Sequence, residues 1–218
     1  MRGSAAVKAL FACAVFAAAG CDGDHIVYRA SSDYFPLRVG DYWRYADTVN
    51  SGSRIVEVLG DTVHGGRNCI VVADNFEPTY WTKSEGRIEK FVVVTTIRYG
   101  EVDTLEQAYR CYYLVPFVVG AAWADTFADT VVAVTDTIDV RHIIEVKVDG
   151  LETVGGFTDG VFTDGAFTDV YRLDVSETIA QDDSTVTTNT VEWFAPTVGL
   201  VKRAQGGSEE LLEDYTLK

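Results

Sequence analysis

The chain alternates bulky and polar side chains over residues 42–49, Y-W-R-Y-A-D-T-V, which is the two-residue period of a β-strand. Similar runs, rich in Thr, Val and Tyr and separated by glycines, follow at short intervals as far as Leu217. A short helix is expected only around Trp123–Phe127. We therefore predict one all-β domain over residues 35–218, with about ten antiparallel strands in a curved sheet, half-barrel or barrel-like arrangement.

The first residues have the pattern of a bacterial export signal. Arg2 and Lys8 make the start positive, and an apolar stretch then leads to the small residues 18–20 and to Cys21. The apolar stretch has about a dozen residues, fewer than the roughly 20 that a helix needs to cross a bilayer. We predict that residues 1–20 are a signal peptide that is removed on export.

The run Ala18, Ala19, Gly20 and Cys21 resembles the lipobox of bacterial lipoproteins. That resemblance implies that Cys21 is lipidated and anchors the protein to a membrane of the cell envelope, outside the cytoplasm. Residues 21–34, which begin with the polar Asp-Gly-Asp after the cysteine, would then form a tether. An ordinary signal peptide cut nearby is the alternative, because Ala18 stands where the family usually has Leu.

Two aromatic motifs lie near the ends of the predicted domain. They read F-P-L-R-V-G-D-Y-W-R-Y at residues 35–45 and W-F-A-P-T-V-G-L-V-K at residues 193–202. They resemble the F-P-L-x-x-G-x-x-W-x-Y and W-x-A-P-x-V-G-L-V-K motifs of a group of lipid-anchored, extracytoplasmic bacterial proteins of unknown function. Thr197 stands where that group often has Gly. The resemblance implies an antiparallel β fold, and it implies no catalytic residues.

Three side chains of these motifs are candidates for lining a ligand site. We interpret Trp43, Tyr45 and Trp193 first as packing anchors, because large rings beside Pro and Gly are typical of strand entries. A concave sheet lined by such rings could also hold an apolar small molecule. The predicted partners are therefore the membrane, through Cys21, and either an apolar small molecule or another envelope protein.

Two cysteines remain once the signal peptide and the lipidation site are set aside. Cys69 and Cys111 each lie in a strand-like run, and export would place them in an oxidising compartment. We predict a disulfide between Cys69 and Cys111. The alternative is that both are small buried side chains that lie too far apart to bond.

A threefold repeat, G-F-T-D-G-V-F-T-D-G-A-F-T-D-V, occupies Gly156–Val170. Its period of five residues fits neither a strand nor a helix. The aspartates lack the D-x-D-x-D-G spacing of a calcium loop, so we predict no metal site here. We expect a protruding, repeat-bearing loop near residues 155–167, from which the last copy continues into a strand.

Charge and motif content exclude several function classes. The chain has 33 acidic and 18 basic residues, and this excess of negative charge argues against a nucleic-acid partner. Nucleophile elbows, phosphate-binding loops and zinc motifs are missing, so we predict no catalytic residue, cofactor or metal. The predicted function is a non-enzymatic binding or structural module. The alternative, an extracytoplasmic hydrolase, requires a cleft where His142 or His64 meets two carboxylates.

Replacing Cys21 by serine tests the anchor. Since serine cannot accept the lipid, we expect the Cys21→Ser protein to move from the membrane fraction to the soluble fraction of the envelope. Fractionation followed by immunoblotting measures this, with Cys69→Ser as the control that should stay on the membrane. Equal membrane retention of wild type and Cys21→Ser would contradict the lipid anchor.

Overall fold

The structure is a computed structural model that describes residues 33–84, 86–98, 100–132, 136–158 and 161–218. The predicted signal peptide, Cys21 and most of the predicted tether lie outside the described residues. The described residues belong to one compact unit. No helix among them is long and apolar enough to span a bilayer.

The described residues form twelve β-strands and no helix, which confirms the all-β prediction. The expected helix at Trp123–Phe127 is wrong, because alternate side chains of this segment are half-buried and exposed, as in a strand. The strands are β1 Tyr42–Asp47, β2 Ser53–His64, β3 Arg67–Asp74, β4 Glu77–Ser84, β5 Arg87–Arg98, β6 Glu101–Leu114, β7 Ala122–Val132, β8 Thr137–Thr158, β9 Val161–Gln181, β10 Ser184–Ala195, β11 Gly199–Gln205 and β12 Ser208–Thr216.

All twelve strands belong to one antiparallel sheet with the order β6-β5-β4-β3-β2-β1-β12-β11-β10-β9-β8-β7. Consecutive strands pair with each other, except β6 and β7, and β1 also pairs with β12, which joins the two ends of the domain. Strands β6 and β7, although consecutive in the chain, are the two edges of the sheet. A single sheet of this width curls because its strands twist.

The curl brings the two edges together, and we call the contact between β6 and β7 the seam. Side chains form its hydrogen bonds and its ion pair. Arg110 of β6 forms an ion pair of 3.1 Å with Asp125 of β7. The other Asp125 oxygen accepts the backbone N–H of Cys111 at 2.9 Å, and the indole N–H of Trp123 donates to the Tyr112 carbonyl at 3.3 Å. The seam is therefore closed by side-chain contacts between the sheet edges.

The repeat region is not the predicted loop. Residues 155–167 lie largely in the ends of the β8–β9 hairpin, whose pairing includes Gly156 with Thr163 and Val154 with Phe167. Between these two pairs the chain advances two residues along β8 but four residues along β9, so the pairing register shifts. Such bulges leave extra residues unpaired, and so a five-residue period can fit into a strand.

Around Phe167, this hairpin packs against the sheet. Phe167 contacts a buried cluster that includes Val154, Val170 and Trp193. Gly156 makes room for the ring, because a Cβ atom at this position would lie 2.5 Å from Phe167 Cε2. The last copy of the repeat therefore packs against the core.

The predicted disulfide is wrong in this structure. Cys69 lies on β3 and Cys111 on β6, and both are buried free thiols. Strands β4 and β5 lie between them, which separates the two by about 14 Å along the sheet. A disulfide needs Cα atoms closer than about 7 Å.

Candidate functional site

The curled sheet forms a partly open cavity of about 220 Å³. Strands β1–β6 and β9–β11 contribute to its wall, together with residues 34–37 ahead of β1. Because these strands come from both halves of the sheet order, the cavity lies on the inner face of the curl. An apolar cavity of about 150 Å³ is large enough to hold benzene, so this one has room for a small organic molecule.

Aromatic rings form much of the wall. The Phe35 ring lies 4.6 Å from the Tyr113 ring and 4.8 Å from the Phe194 ring, measured between centroids. Trp81 and Tyr112 form a second aromatic pair, with centroids 6.0 Å apart. Rings at these distances present an apolar surface against which a flat or aliphatic group can pack.

Two of the three predicted ligand-lining residues reach the cavity. Trp43 and Tyr45 both line it. The Trp43 indole donates a hydrogen bond to the Val198 carbonyl at 2.7 Å, and the Tyr45 hydroxyl donates to the Leu200 carbonyl at 3.0 Å. These bonds join the two aromatic motifs of the sequence, so the cavity wall depends on both ends of the domain.

Trp193, the third residue predicted to line a ligand site, does not line this cavity. Its neighbours Glu192 and Phe194 line the cavity, so strand alternation directs Trp193 to the opposite face. There its indole donates a hydrogen bond of 2.7 Å to Glu152 of β8. The β8–β9 hairpin covers this face, which explains why an outward tryptophan is buried.

Six charged side chains outside the predicted ligand-lining set also line the cavity. They comprise three carboxylates and three cations, namely Asp74, Glu177, Glu192, Arg54, Lys90 and Arg203. Buried charges require partners, because an unpaired ion loses the solvation it has in water. Their hydrogen bonds therefore show which groups remain available to a ligand.

The carboxylates are well supplied with donors. Asp74 receives two hydrogen bonds from Arg54, at 2.8 and 2.7 Å. Glu192 accepts the Tyr113 hydroxyl at 2.7 Å. Burial and the Glu192 carboxylate raise the pKa of Tyr113, so its hydroxyl remains a donor at neutral pH.

Two of the cations lack such partners. In the described part of the chain, nothing forms a hydrogen bond or ion pair with Lys90 Nζ, which lies 5.6 Å from the ring centroids of both Trp81 and Tyr112. Burial lowers the pKa of Lys90. Arg203 Nε is buried without a hydrogen bond and lies 3.7 Å from a Glu192 oxygen.

His142 lies behind the cavity between two carboxylates. Its side chain is almost inaccessible, and its ring nitrogens lie 2.7 Å from Glu106 Oε2 and 2.9 Å from Glu177 Oε1. Burial opposes a charge on the ring, but the hydrogen bonds and negative charges of Glu106 and Glu177 outweigh burial and raise the pKa of His142 to about 9. His142 is therefore an imidazolium at neutral pH.

Glu106, His142 and Glu177, which we call the triad, link three strands across the curl. Glu106 belongs to β6, His142 to β8 and Glu177 to β9, so the charged ring joins one edge of the sheet to strands next to the other edge. Arg110 supplies a further hydrogen bond to Glu106. The Tyr112 hydroxyl of β6 donates to the same Glu177 oxygen at 3.0 Å.

The triad meets the geometric condition for a hydrolase, a histidine between two carboxylates, but its chemistry favours a structural role. Both ring nitrogens of His142 are engaged, and the ring already carries its proton, so it cannot act as a general base. The hydrogen bond from His142 lowers the pKa of Glu177, which keeps this carboxylate ionised and weakly basic. Over the ranges that the structure covers, no group of His, Cys, Asp and Glu side chains is arranged to hold a metal ion.

A signal for these charges exists in the sequence. Lys90 shares a strand face with Ile88 and Val92, and Glu177 shares one with Leu173 and Val175. A charged residue in an otherwise apolar row of a strand indicates a polar group inside the protein. The two-residue period of a strand is enough to identify such rows.

Comparison with known proteins gives two distant structural similarities. No protein-family model matches the chain, and no curated protein matches it. A protein of Bacteroides fragilis NCTC 9343, described as exported and as having a YmcC-like fold, is 14% identical, with a TM-score of 0.47, and the match covers 85% of this chain and 100% of that one. A protein of Parabacteroides distasonis ATCC 8503, described as a lipoprotein, is 15% identical, with a TM-score of 0.42, and the match covers 84% of this chain and 98% of that one.

The charge on His142 makes stability depend on pH. Because the folded pKa of about 9 lies above the ordinary 6.5, its contribution is complete below pH 6.5 and is lost as pH rises through 9. We expect His142→Gln to lower the free energy of unfolding at pH 6 by about 3 kcal/mol more than at pH 10. Urea denaturation at both pH values measures this difference.

His64→Gln is the control, because it removes an imidazole that stacks on Tyr80 on another part of the sheet. It should keep the pH dependence of the wild type. If His142→Gln loses the same stability at pH 6 and pH 10, the charge on His142 does not hold the curled sheet closed.

Proposed function

We propose that this is an exported protein, anchored to a membrane of the cell envelope through lipid on Cys21, whose β domain binds a small amphipathic molecule without transforming it. The export pattern of residues 1–20 and the lipobox-like run support the location. One observation carries the binding role. The cavity of about 220 Å³ combines aromatic walls with two cations, Lys90 and Arg203, that lack hydrogen-bond partners within the described residues.

A binding role explains this interior better than a purely structural role. Protein interiors are close-packed, and their buried polar groups are nearly always hydrogen-bonded. A cavity lined by aromatic rings and by cations without hydrogen-bond partners is instead typical of a ligand site. The cavity is smaller than the roughly 300–1,000 Å³ of sites for drug-sized molecules, so the ligand or its inserted part must be small.

The hydrolase alternative rests on the position of His142 between Glu106 and Glu177. For hydrolysis, Glu177 would have to activate water, since it is the member of the triad that lines the cavity. Its lowered pKa makes it a poor base at neutral pH. We therefore favour binding without catalysis.

Native mass spectrometry of the protein purified from its own envelope tests the binding role. We expect wild type to carry a small molecule in addition to the mass of the chain and its lipid. Thr188 lines the cavity, and so Thr188→Trp should fill it and remove the additional mass. Thr187→Trp is the matched control, because the adjacent Thr187 is exposed and strand alternation directs it to the other face.

The three proteins separate the outcomes. Additional mass in wild type and Thr187→Trp, but not in Thr188→Trp, supports the site. The absence of additional mass from all three, or its presence in all three, would contradict binding in this cavity. A bound molecule that is recovered chemically altered would favour the hydrolase.

A further inference from the structure

Donors and acceptors in the cavity are unequally satisfied. Arg54 supplies Asp74 with two hydrogen bonds, Tyr113 supplies Glu192, and His142 and Tyr112 supply Glu177. Lys90 and Arg203 have no comparable acceptors within the described residues. The unused hydrogen-bonding capacity of the site is therefore concentrated in positively charged donors.

Lys90 is held where its charge is costly. The fully buried Ile88 lies on the same face of β5, and the ammonium group lies 5.6 Å from the ring centroids of both Trp81 and Tyr112. Interaction with aromatic faces offsets part of the lost hydration, but it supplies no hydrogen-bond acceptor. The lowered pKa of Lys90 reflects this loss of solvent.

Arg203 adds a second positive charge within electrostatic range of Lys90. Its acidic neighbour Glu192 directs Oε2 to the Tyr113 hydroxyl and leaves Oε1 3.7 Å from Arg203 Nε. This distance is too long for a hydrogen bond. Glu177 and Asp74 offset part of this positive charge at Lys90, but within the described residues neither forms a hydrogen bond with Lys90 or Arg203.

We infer that the ligand is an amphipathic anion that carries one acidic head group, held by Lys90 and Arg203, on an apolar body that packs against the aromatic walls. This inference rests on the proposed binding function and specifies its ligand class. A carboxylate suits the site because Arg203 can bind it through two N–H groups while Lys90 neutralises its charge. Asp74, Glu177 and Glu192 line the same cavity and would repel a ligand of higher negative charge.

A set of three eight-carbon probes tests the head group. Octanoate, octanol and octylamine have the same apolar chain and differ only in the charge of one end. Calorimetric titration at pH 7 uses the full chain carrying Cys21→Ser, so that no acyl group competes with the probes. We expect octanoate to bind at least about tenfold more tightly than either octanol or octylamine.

Lys90→Gln and Arg203→Gln should each reduce octanoate affinity to near that of octanol. Lys147→Gln is the matched control, because this lysine is exposed on β8 and pairs with Asp149. It should leave octanoate affinity unchanged. Thermal melts check folding, and the comparison of the three probes on the otherwise unchanged chain does not depend on these variants.

The outcomes distinguish this inference from the proposed function. Equal affinity for all three probes, or tightest binding of octylamine, would overturn the anionic ligand and leave binding in the cavity intact. Preference for octanoate that survives both Lys90→Gln and Arg203→Gln would overturn the assignment to these cations. Binding of none of the probes would overturn both the inference and the proposed function.

Discussion

The hydrogen bonds of His142 to Glu106 and Glu177 hold the curled sheet together. A sheet with two open edges exposes unpaired backbone groups and invites association with other chains. Here the two edges meet instead: the Arg110–Asp125 ion pair joins β6 to β7, and the His142 hydrogen bonds join β6 to β8 and β9. A neutral ring could not satisfy two carboxylates at once, so the closure depends on the proton that His142 carries.

Closure of the curl creates the cavity and determines its character. The triad uses one oxygen of Glu177 on the His142 side, while the residue also forms part of the cavity wall. The opposite wall depends on the Trp43 hydrogen bond to Val198, which joins segments from the two ends of the domain. The same polar and aromatic groups thus close the fold and shape the site. This explains why the interior is rich in charge for an all-β domain.

Strand periodicity predicted the fold class, and Trp43 and Tyr45 share one face of β1, as their spacing of two residues predicts. It could not predict strand order, and therefore the expected bond between Cys69 and Cys111 failed. The more apolar face of β10 carries Val191, Trp193 and Ala195. From the sequence alone, this face is therefore predicted to point into the curl. In the structure, the β8–β9 hairpin covers the outer face, and both faces of β10 are buried there.

The remaining errors also arise from contacts between distant segments. The five-residue repeat resembles a loop unless bulges in the pairing of β9 with β8 are known. Strand alternation marks Lys90 and Glu177 as charges in apolar rows, but it does not show that they share a cavity with Arg203. Their importance arises because the curl brings strands that are distant in sequence to one cavity wall, and no local pattern contains that information.

A crystal structure of the protein purified from its own envelope tests the binding of an acidic, amphipathic ligand most directly. We predict electron density for a small molecule inside the curl, with an acidic group within hydrogen-bond distance of Lys90 Nζ and Arg203. An empty cavity, with Lys90 Nζ turned to bond Glu177 and no density between the cations, would contradict it.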